Sequence, residues 1–207
     1  MFLVCYNIYM LDYEKNYPNM VIAGIDEAGR GPLAGPVVCA CVIMPLQADL
    51  IIEGINDSKK LTEKKREILF EQIKEKAIAY SIVAIDEKTI DEINILNATK
   101  LGMKKAFEAL SVKPDIVLVD AVKLDIDCRQ DSIIKGDALS YNIASASILA
   151  KVYRDHLMKD YDEVYPQYQF AKHKGYGTKV HIEMLKTYGE SPIHRKTFIK
   201  NFINKAE

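Results

Sequence analysis

The segment Gly24–Pro36 restricts the fold of this chain strongly, because it joins a strand-like apolar run to two adjacent acids and a loop rich in glycine and proline. Side chains alternate between the two faces of a strand, so Asp26 and Glu27 can converge on one point only if the backbone bends there. Gly29 and Gly31 permit such a bend, and they let a ligand come close to backbone N–H groups. Two carboxylates beside a glycine-lined, arginine-bearing loop predict a site for a divalent cation and a phosphate.

The same residues also fit other patterns. An adjacent Asp-Glu pair is most often solvated surface. Gly24 and Gly29 have the spacing of a Walker A loop, but Arg30 and Gly31 stand where that loop has Lys and Ser or Thr. The glycine pattern also imitates the dinucleotide-binding fingerprint, which must open a helix. Here the loop leads into an apolar, β-rich run over 36–44, so we reject the dinucleotide-binding fold.

The charge distribution is uneven along the chain. The whole sequence has 28 Lys and Arg against 29 Asp and Glu, a net charge of −1. Residues 171–207 carry eight basic and three acidic residues, or +5, which leaves −6 for residues 1–170. A charge run is usually a solvated face, but a basic segment opposite an acidic site would suit a polyanion. The 207 residues predict one domain, with a core over about 20–160 and a basic, substrate-gripping segment over about 161–207.

The cysteines and the apolar runs favour a cytoplasmic protein. Of Cys5, Cys39, Cys41 and Cys128, only the middle two are close in sequence, and without a second close pair a zinc site is not expected. Buried reduced thiols fit a cytosolic location. The apolar start, Met1–Met10, lacks the basic region and cleavage site of a signal peptide, and no run is long enough to span a membrane. We expect a monomer without an obligate protein partner.

Apolar periodicity predicts an α/β chain in which a β-hairpin precedes alternating helices and strands. Strands are expected at about 20–26, 36–44, 80–85, 116–120 and 132–137. Helices are expected at about 11–17, from the cap residue Thr62 onward, and at about 88–110, 138–160 and 179–187. This order implies a mixed five-stranded sheet covered by helices on both faces, with a helical C-terminal segment.

Three of the expected strands end in acids, namely Asp26 with Glu27, Asp120 and Asp137. Functional groups of open α/β sheets collect at the carboxyl ends of strands, so these four side chains can converge. Two unit charges at ~4 Å repel by about 4 kcal/mol at an effective dielectric constant of about 20. Either some carboxyls stay protonated, or hard cations neutralise them.

An all-oxygen ligand set suits Mg²⁺ or Mn²⁺ better than zinc. Two such ions on four carboxylates would form a phosphodiester-cleaving site, in which one ion activates water and the other stabilises the leaving oxygen. For each acid alone, a surface charge or a helix cap is the alternative. Asp137 in particular could cap the helix that follows it.

The segment Gly24–Pro36 resembles the signature of the ribonuclease HII family, the type 2 ribonucleases H. Five later segments resemble the later motifs of that family, in the same order: Asp57–Leu61, Lys135–Asp137, Ala150–Asp155, His173–Thr178 and Ser191–Arg195. The resemblance covers about residues 20–200, and the bacterial form fits best. It implies a ribonuclease H-like fold and metal-dependent endonucleolytic cleavage of RNA paired with DNA, including incision at a single ribonucleotide embedded in duplex DNA. It also implies products with a 3′-hydroxyl and a 5′-phosphate.

The resemblance assigns roles to ten residues of this chain. It makes Asp26, Glu27, Asp120 and Asp137 the catalytic ligands of two Mg²⁺ or Mn²⁺ ions with substrate bound. It assigns substrate contacts to Gly29, Arg30 and Gly31 at the ribonucleotide, to Ser58 and Lys59 at the phosphate backbone, and to Tyr176 as the junction sensor. Only a 2′-hydroxyl marks one ribonucleotide in DNA, so close backbone donors and a flat ring suit its recognition. The alternative for Tyr176 is a partly buried packing residue, and the four histidines are expected to be structural or phosphate contacts.

The sequence departs from the family pattern at a few positions. Ala121 and Val122 follow Asp120 where the family more often has Gly-Asn, and Glu190 replaces a usual proline. The tail from 198 to 207 lacks a convincing sliding-clamp peptide. Two alternatives stay open. One is a ribonuclease HIII, which normally has an extra N-terminal domain and a lysine in the loop where this chain has Arg30. The other is a non-catalytic nucleic-acid-binding module on the same fold.

Overall fold

A computed structural model describes the backbone of residues 8–203 and the side chains of residues 10–203. Cys5, most of the apolar start and the end of the tail lie outside these ranges, so the predictions made for them stay predictions. Among the described residues, no helix combines the length and the apolar character needed to cross a membrane.

The described chain alternates between strands and helices, as the apolar periodicity predicts. The strands are β1 (Ile22–Ala28), β2 (Val37–Ile43), β3 (Ala79–Ile85), β4 (Ile116–Asp120) and β5 (Arg129–Ile133). The helices are α1 (Glu63–Lys76), α2 (Glu87–Glu108), α3 (Tyr141–Val164), the short α4 (Phe170–His173), α5 (Lys179–Tyr188) and α6 (Lys196–Ile203).

The five strands form one mixed sheet with the order β3-β2-β1-β4-β5. β1 pairs antiparallel with β2 and parallel with β4. The outer pairs continue this arrangement, since β2 and β3 are antiparallel while β4 and β5 are parallel. The predicted five-stranded mixed sheet is therefore confirmed. Because β1 is the central strand, its two acids lie in the middle of the sheet.

Helix α3 lies close against one face of the sheet because its contact side is built from small residues. Ala146 and Ala150 are fully buried there. Gly24 of β1 faces the start of this helix, and a Cβ at that position would lie 2.2 Å from the backbone carbon of Asn142. Only glycine permits so close an approach. Helix α2 covers the opposite face.

The helix predictions are confirmed in position and differ in detail. Thr62 caps α1, since its hydroxyl accepts a hydrogen bond from a backbone N–H of the first turn at 3.3 Å. Helix α2 is interrupted at Asn94, which has a φ of +63°. The expected lead-in helix is instead two 3-10 turns, Ile8–Leu11 and Glu14–Asn16.

The C-terminal helices pack beside the glycine-rich loop. Leu33 of that loop forms an apolar cluster with Leu185 of α5 and Ile199 of α6. Asp91 of α2 accepts the backbone N–H of Lys196 at 2.7 Å, which caps α6 against the core. The basic end of the chain is thereby held next to the loop that carries the sequence signature.

The predicted bend at the two acids is wrong. β1 continues through Asp26 and Glu27 in regular register with β2, and it ends at Ala28. The turn follows at Gly29, which has a φ of +96°. The two acids therefore keep the alternation of a strand, with Asp26 on the α3 face and Glu27 on the α2 face.

The strand predicted at 132–137 is also wrong in its extent. β5 starts earlier and ends at Ile133, and Asp137 lies in a 3-10 turn, Gly136–Ala138. Lys135 has a φ of +59°, a left-handed conformation in which a strand cannot continue. The alternative that Asp137 caps the next helix is wrong too, because Ser140 caps α3.

Candidate active site

Asp26 is the most enclosed of the four predicted carboxylates. It is 5% exposed, and its Oδ1 accepts the backbone N–H of Glu27 at 2.7 Å. Burial raises the pKa of Asp26 well above its usual range, and the nearby charges of Glu27 and Asp120 raise it further. The hydroxyl of Ser147 on α3 acts in the opposite direction. An acid in this position favours either a proton or a cation beside it.

The other three acids surround the end of the central strands. Burial raises the pKa of Glu27, which Arg30 lowers and Asp120 raises. Burial likewise raises the pKa of Asp120 at the end of β4, although its Oδ1 accepts the N–H of Gly136 at 2.8 Å. The charge of Asp137 raises the pKa of Asp120 further. These charge effects link the four predicted acids into one electrostatic cluster, although Asp26 and Glu27 leave β1 on opposite faces.

Two basic side chains lie against this acid cluster. Lys59 Nζ is 3.4 Å from Oδ2 of Asp137, and the lysine side chain is 82% exposed. Arg30 Nη1 is 3.5 Å from Oε1 of Glu27. Both contacts are long and open to solvent, so they contribute little to stability. The Lys59 ammonium and the Arg30 guanidinium could therefore bind another anionic group, such as a phosphate.

The donor set of the cluster fits a hard divalent cation. All four side chains offer oxygen, and burial together with neighbouring acids raises the pKa values of Asp26, Glu27 and Asp120. Within residues 8–203, no three His, Cys, Asp or Glu side chains are gathered closely enough to form a complete metal cage. Mg²⁺ does not need such a cage, because it is usually held by one or two carboxylates together with substrate phosphates and water.

Ser58 and Lys59 lie beside each other but face different ways. Ser58 is buried, and its Oγ is 2.8 Å from Oγ of Ser147, the residue that faces Asp26. The Ser58 hydroxyl is therefore engaged inside the protein, while the Lys59 ammonium reaches the open side of the cluster. Asp57 caps the short turn that carries both residues by accepting the N–H of Lys59 at 2.9 Å.

Arg195 holds the glycine loop from the inside. Its guanidinium is fully buried and donates to the carbonyl oxygens of Gly29 at 2.6 Å, Arg30 at 2.9 Å and Gly35 at 2.7 Å. One planar group thus satisfies three backbone acceptors that lie far from it in sequence. The shape of the loop depends on a residue from the other end of the chain.

Arg154 of α3 forms a second internal contact with the same loop. It donates to the carbonyl oxygens of Ala34 at 3.0 Å, Pro36 at 2.9 Å and Lys174 at 2.9 Å. Gly29 packs directly on this guanidinium, since a Cβ at that position would lie 2.0 Å from Nε of Arg154. Gly29 is therefore required for the packing of Arg154 as well as for the turn.

Tyr176 and the glycine loop are neighbours in space. A Cβ on Gly31 would lie 3.8 Å from Cε1 of Tyr176, whose side chain is 46% exposed. The backbone beside Tyr176 is fixed to the loop, because Leu33 donates its N–H to the carbonyl of Gly175 at 2.8 Å. Gly175 has a φ of +81°, and a Cβ there would lie 2.4 Å from the carbonyl oxygen of Ala34. The ring thus stands, accessible to solvent, at the edge of the loop.

Arg154, Arg195 and Ser147 were not among the residues predicted from the sequence. Both arginines belong to segments that carry the family resemblance, Ala150–Asp155 and Ser191–Arg195. The resemblance therefore marked these segments but indicated no function for either arginine. Ser147 lies within the helix predicted at about 138–160, and no role was predicted for it.

The chain is similar to ribonuclease HII proteins over most of its length. The family model described as Ribonuclease HII matches residues 23–201. The Ribonuclease HII of Acetivibrio thermocellus is 60% identical over 192 residues, which cover 92% of this chain and 73% of that protein.

Solved structures show the same fold. A chain in the structure of the PCNA:RNase HII complex from Archaeoglobus fulgidus matches with a TM-score of 0.75 and 26% identity, covering 89% of this chain and 97% of that one. Bst-RNase HIII matches with a TM-score of 0.65 and 17% identity, covering 88% of this chain and 68% of that one. The second similarity extends to the fold alone.

Proposed function

This chain belongs to the ribonuclease HII family, and we propose that it cuts the RNA strand of RNA–DNA hybrids and incises duplex DNA on the 5′ side of a single ribonucleotide. As a member of this family it is a ribonuclease H. The finer proposal includes products with a 3′-hydroxyl and a 5′-phosphate, and a role in removing ribonucleotides during DNA replication and repair. One observation carries it: the glycine loop lies between the acids and the ring of Tyr176, since Arg30 contacts Glu27 and Gly31 faces Tyr176.

Asp26, Glu27, Asp120 and Asp137 would hold the divalent ions, either Mg²⁺ or Mn²⁺. When bound with substrate, two such ions would supply an activated water and charge stabilisation at the leaving oxygen. The cluster repels further negative charge, since neighbouring acids already raise the pKa values of Asp26 and Asp120. It therefore favours a phosphate only together with cations.

Arg30 and Lys59 would hold the phosphate backbone at the two sides of the acid cluster. Both side chains reach solvent and carry full positive charge next to an acid. Because exposed ion pairs contribute little, exchanging the acid for a substrate phosphate costs the protein little stability. Partial burial acts to lower the pKa of Lys59, but the charges of Asp137 and Asp26 outweigh it and raise this pKa, so the ammonium stays charged.

The glycine loop has two backbone donors suited to a 2′-hydroxyl. The carbonyls of Gly29 and Arg30 both point toward Arg195. The peptide bonds of the described residues are all trans, so the N–H groups of Arg30 and Gly31 point the opposite way. We assign these two N–H groups to the ribonucleotide and the ring of Tyr176 to the adjoining sugar.

The test is cleavage of a labelled DNA duplex that contains one ribonucleotide, with Mg²⁺, Mn²⁺ or EDTA, beside the same duplex made wholly of DNA. We expect one cut on the 5′ side of the ribonucleotide, lost in EDTA and absent from plain DNA. Asp26→Asn or Asp120→Asn should lower the rate by more than about 100-fold, since even outer-shell partners of a metal contribute 10- to 100-fold. Asp125→Asn, at a fully exposed acid away from the cluster, is the matched control.

Each alternative has its own result in this assay. Cutting only within long RNA stretches would favour a ribonuclease HIII-like activity. Binding of the duplex without metal-dependent turnover would favour the non-catalytic module. An Asp26→Asn enzyme that cuts at the wild-type rate would refute the assignment of the acids.

A further inference from the structure

The proposed function gives no role to His194, which lies in the segment Ser191–Arg195. Arg195 holds the glycine loop, but the neighbouring His194 contacts neither the acids nor the loop donors. It is buried and belongs to a cluster with His173 and His181, which are buried as well. Three buried imidazoles beside the Tyr176 turn need a physical explanation, since a buried polar ring is costly unless it is hydrogen-bonded.

The hydrogen bonds of this cluster determine where each proton lies. His181 Nδ1 is 2.9 Å from the carbonyl oxygen of Tyr176, which can only accept, so Nδ1 donates. In a neutral ring Nε2 of His181 is then an acceptor, and its partner at 3.0 Å, Nε2 of His194, must donate. His194 Nδ1 is left as an acceptor, and Ser191 donates its N–H to it at 2.8 Å. The four groups form one directional relay from Ser191 to the Tyr176 carbonyl.

Two observations support neutral rings in this relay. Burial lowers the pKa of His181 and of His194 to about 4, so both imidazoles are uncharged at neutral pH. His173 stacks on His181 with ring centroids 4.4 Å apart and planes at 15°. His173 also accepts the N–H of Gly175 at 3.2 Å and contacts the carbonyl of Tyr168 at 2.8 Å, so the turn before Tyr176 is fixed from the same cluster.

The relay ends at the backbone of the residue that faces Gly31. Nδ1 of His181 donates to the carbonyl of Tyr176, and the N–H of Tyr176 donates to the carbonyl of His173 at 2.9 Å. At its other end, His194 adjoins Arg195, which holds Gly29 and Arg30. One short segment therefore sets both the glycine loop and the tyrosine turn.

We propose that His181 and His194 are positioning residues that set the preference for ribonucleotide junctions, by fixing the backbone of Tyr176 so that its ring stands against the glycine loop. This inference rests on the proposed function, since it assumes that the ring and the loop read the substrate together. The histidines act through Tyr176 and touch no substrate.

The test compares kcat/KM on a duplex with one ribonucleotide against kcat/KM on a long RNA–DNA hybrid. His181→Leu keeps most of the side-chain volume but removes one of the two donors to the Tyr176 carbonyl, leaving the backbone N–H of Thr178 at 2.8 Å. It should lower the single-ribonucleotide value roughly fivefold to tenfold more than the hybrid value. His181→Asn should restore most of the ratio, because its side-chain N–H₂ occupies the place of Nδ1, although it offers no acceptor to Nε2 of His194. His156→Asn, a half-exposed histidine of α3 paired with Glu67, is the matched control.

A double-mutant cycle separates positioning from general damage. In a Tyr176→Ala background, His181→Leu should leave the substrate ratio unaltered, because the ring that the relay positions is gone. Thermal unfolding of each variant shows whether it is folded. If His181→Leu does not fold, His194→Phe interrupts the relay one residue further from Tyr176 and is read in the same way.

The outcomes are distinct. A selective loss on the single ribonucleotide, rescued by asparagine and absent from the Tyr176→Ala background, supports the relay. Equal losses on both substrates, or an equal effect of His181→Leu with and without the Tyr176 ring, overturn it while the proposed function stands. A wild-type enzyme that does not cut at single ribonucleotides overturns both.

Discussion

Replacing Arg195 by methionine should destabilise the protein severely while keeping most of the side-chain volume. Arg195 is fully buried and donates to the carbonyls of Gly29, Arg30 and Gly35 at 2.6–2.9 Å. A buried polar group that loses its hydrogen-bond partner costs about 1–3 kcal/mol. Three unpaired carbonyls would therefore lower the free energy of unfolding by roughly 3–9 kcal/mol. Removing a buried charge offsets part of this, since burial lowers the pKa of Arg195. We therefore expect a loss in the lower half of that range, about 3–5 kcal/mol.

The measurement is urea unfolding, from which the midpoint and the slope give the free energy of unfolding. Native domains have about 5–15 kcal/mol in total, so the loss from Arg195→Met would be large. Arg195→Lys should recover little, because one ammonium cannot serve three carbonyls in a plane. The matched control is Arg129→Met, an exposed arginine over the ring of Tyr17, with an expected loss of at most about 1 kcal/mol. Equal losses for the Arg195 and Arg129 variants would refute the account of the loop.

Three further predictions concern stability and can be checked by thermal unfolding. Gly29→Ala should lower Tm by about 5 °C or more, because its Cβ would meet Arg154 at a φ of +96°. An unaltered Tm would contradict that packing. Ala121→Gly should raise Tm by roughly 2–4 °C, because Ala121 has a φ of +54°, where glycine is relaxed by about 1 kcal/mol. The two buried histidines should make the fold less stable in acid, because His181 and His194 have pKa values of about 4 when folded and about 6.5 when unfolded. Between these values the unfolded imidazoles bind more protons, so their contribution to stability is full above about pH 7 and falls by about 1–2 kcal/mol per histidine by about pH 5. Asparagine at both positions should flatten this pH dependence.

Much of the sheet could be predicted because its strands carry local signals. The apolar run behind β2 and the short run of β4 are bounded by turn residues, and the structure has both where the pattern places them. The boundary error after β5 arose because the chain turns at a lysine. β5 ends at Ile133, and Lys135 has a left-handed conformation that no local pattern of a lysine announces.

The departure from the family pattern after Asp120 has a structural counterpart. Ala121 adopts a left-handed φ of +54°, which is the conformation that a glycine at this position would adopt freely. The sequence identified the position as unusual, and the backbone gives the physical reason. Ala121 therefore adopts this conformation at the expense of backbone strain.

The sequence by itself determined which chemical groups are available: four carboxylates in order along the chain, a glycine loop with one arginine, and a tyrosine between glycines. The tertiary structure alone decided how these groups are held. Arg195 contacts Gly35 across 160 residues, and Arg154 contacts Pro36 across 118. Periodicity and turn residues report local backbone preference, whereas a buried guanidinium or imidazole takes whichever partners the packed fold brings within hydrogen-bonding distance.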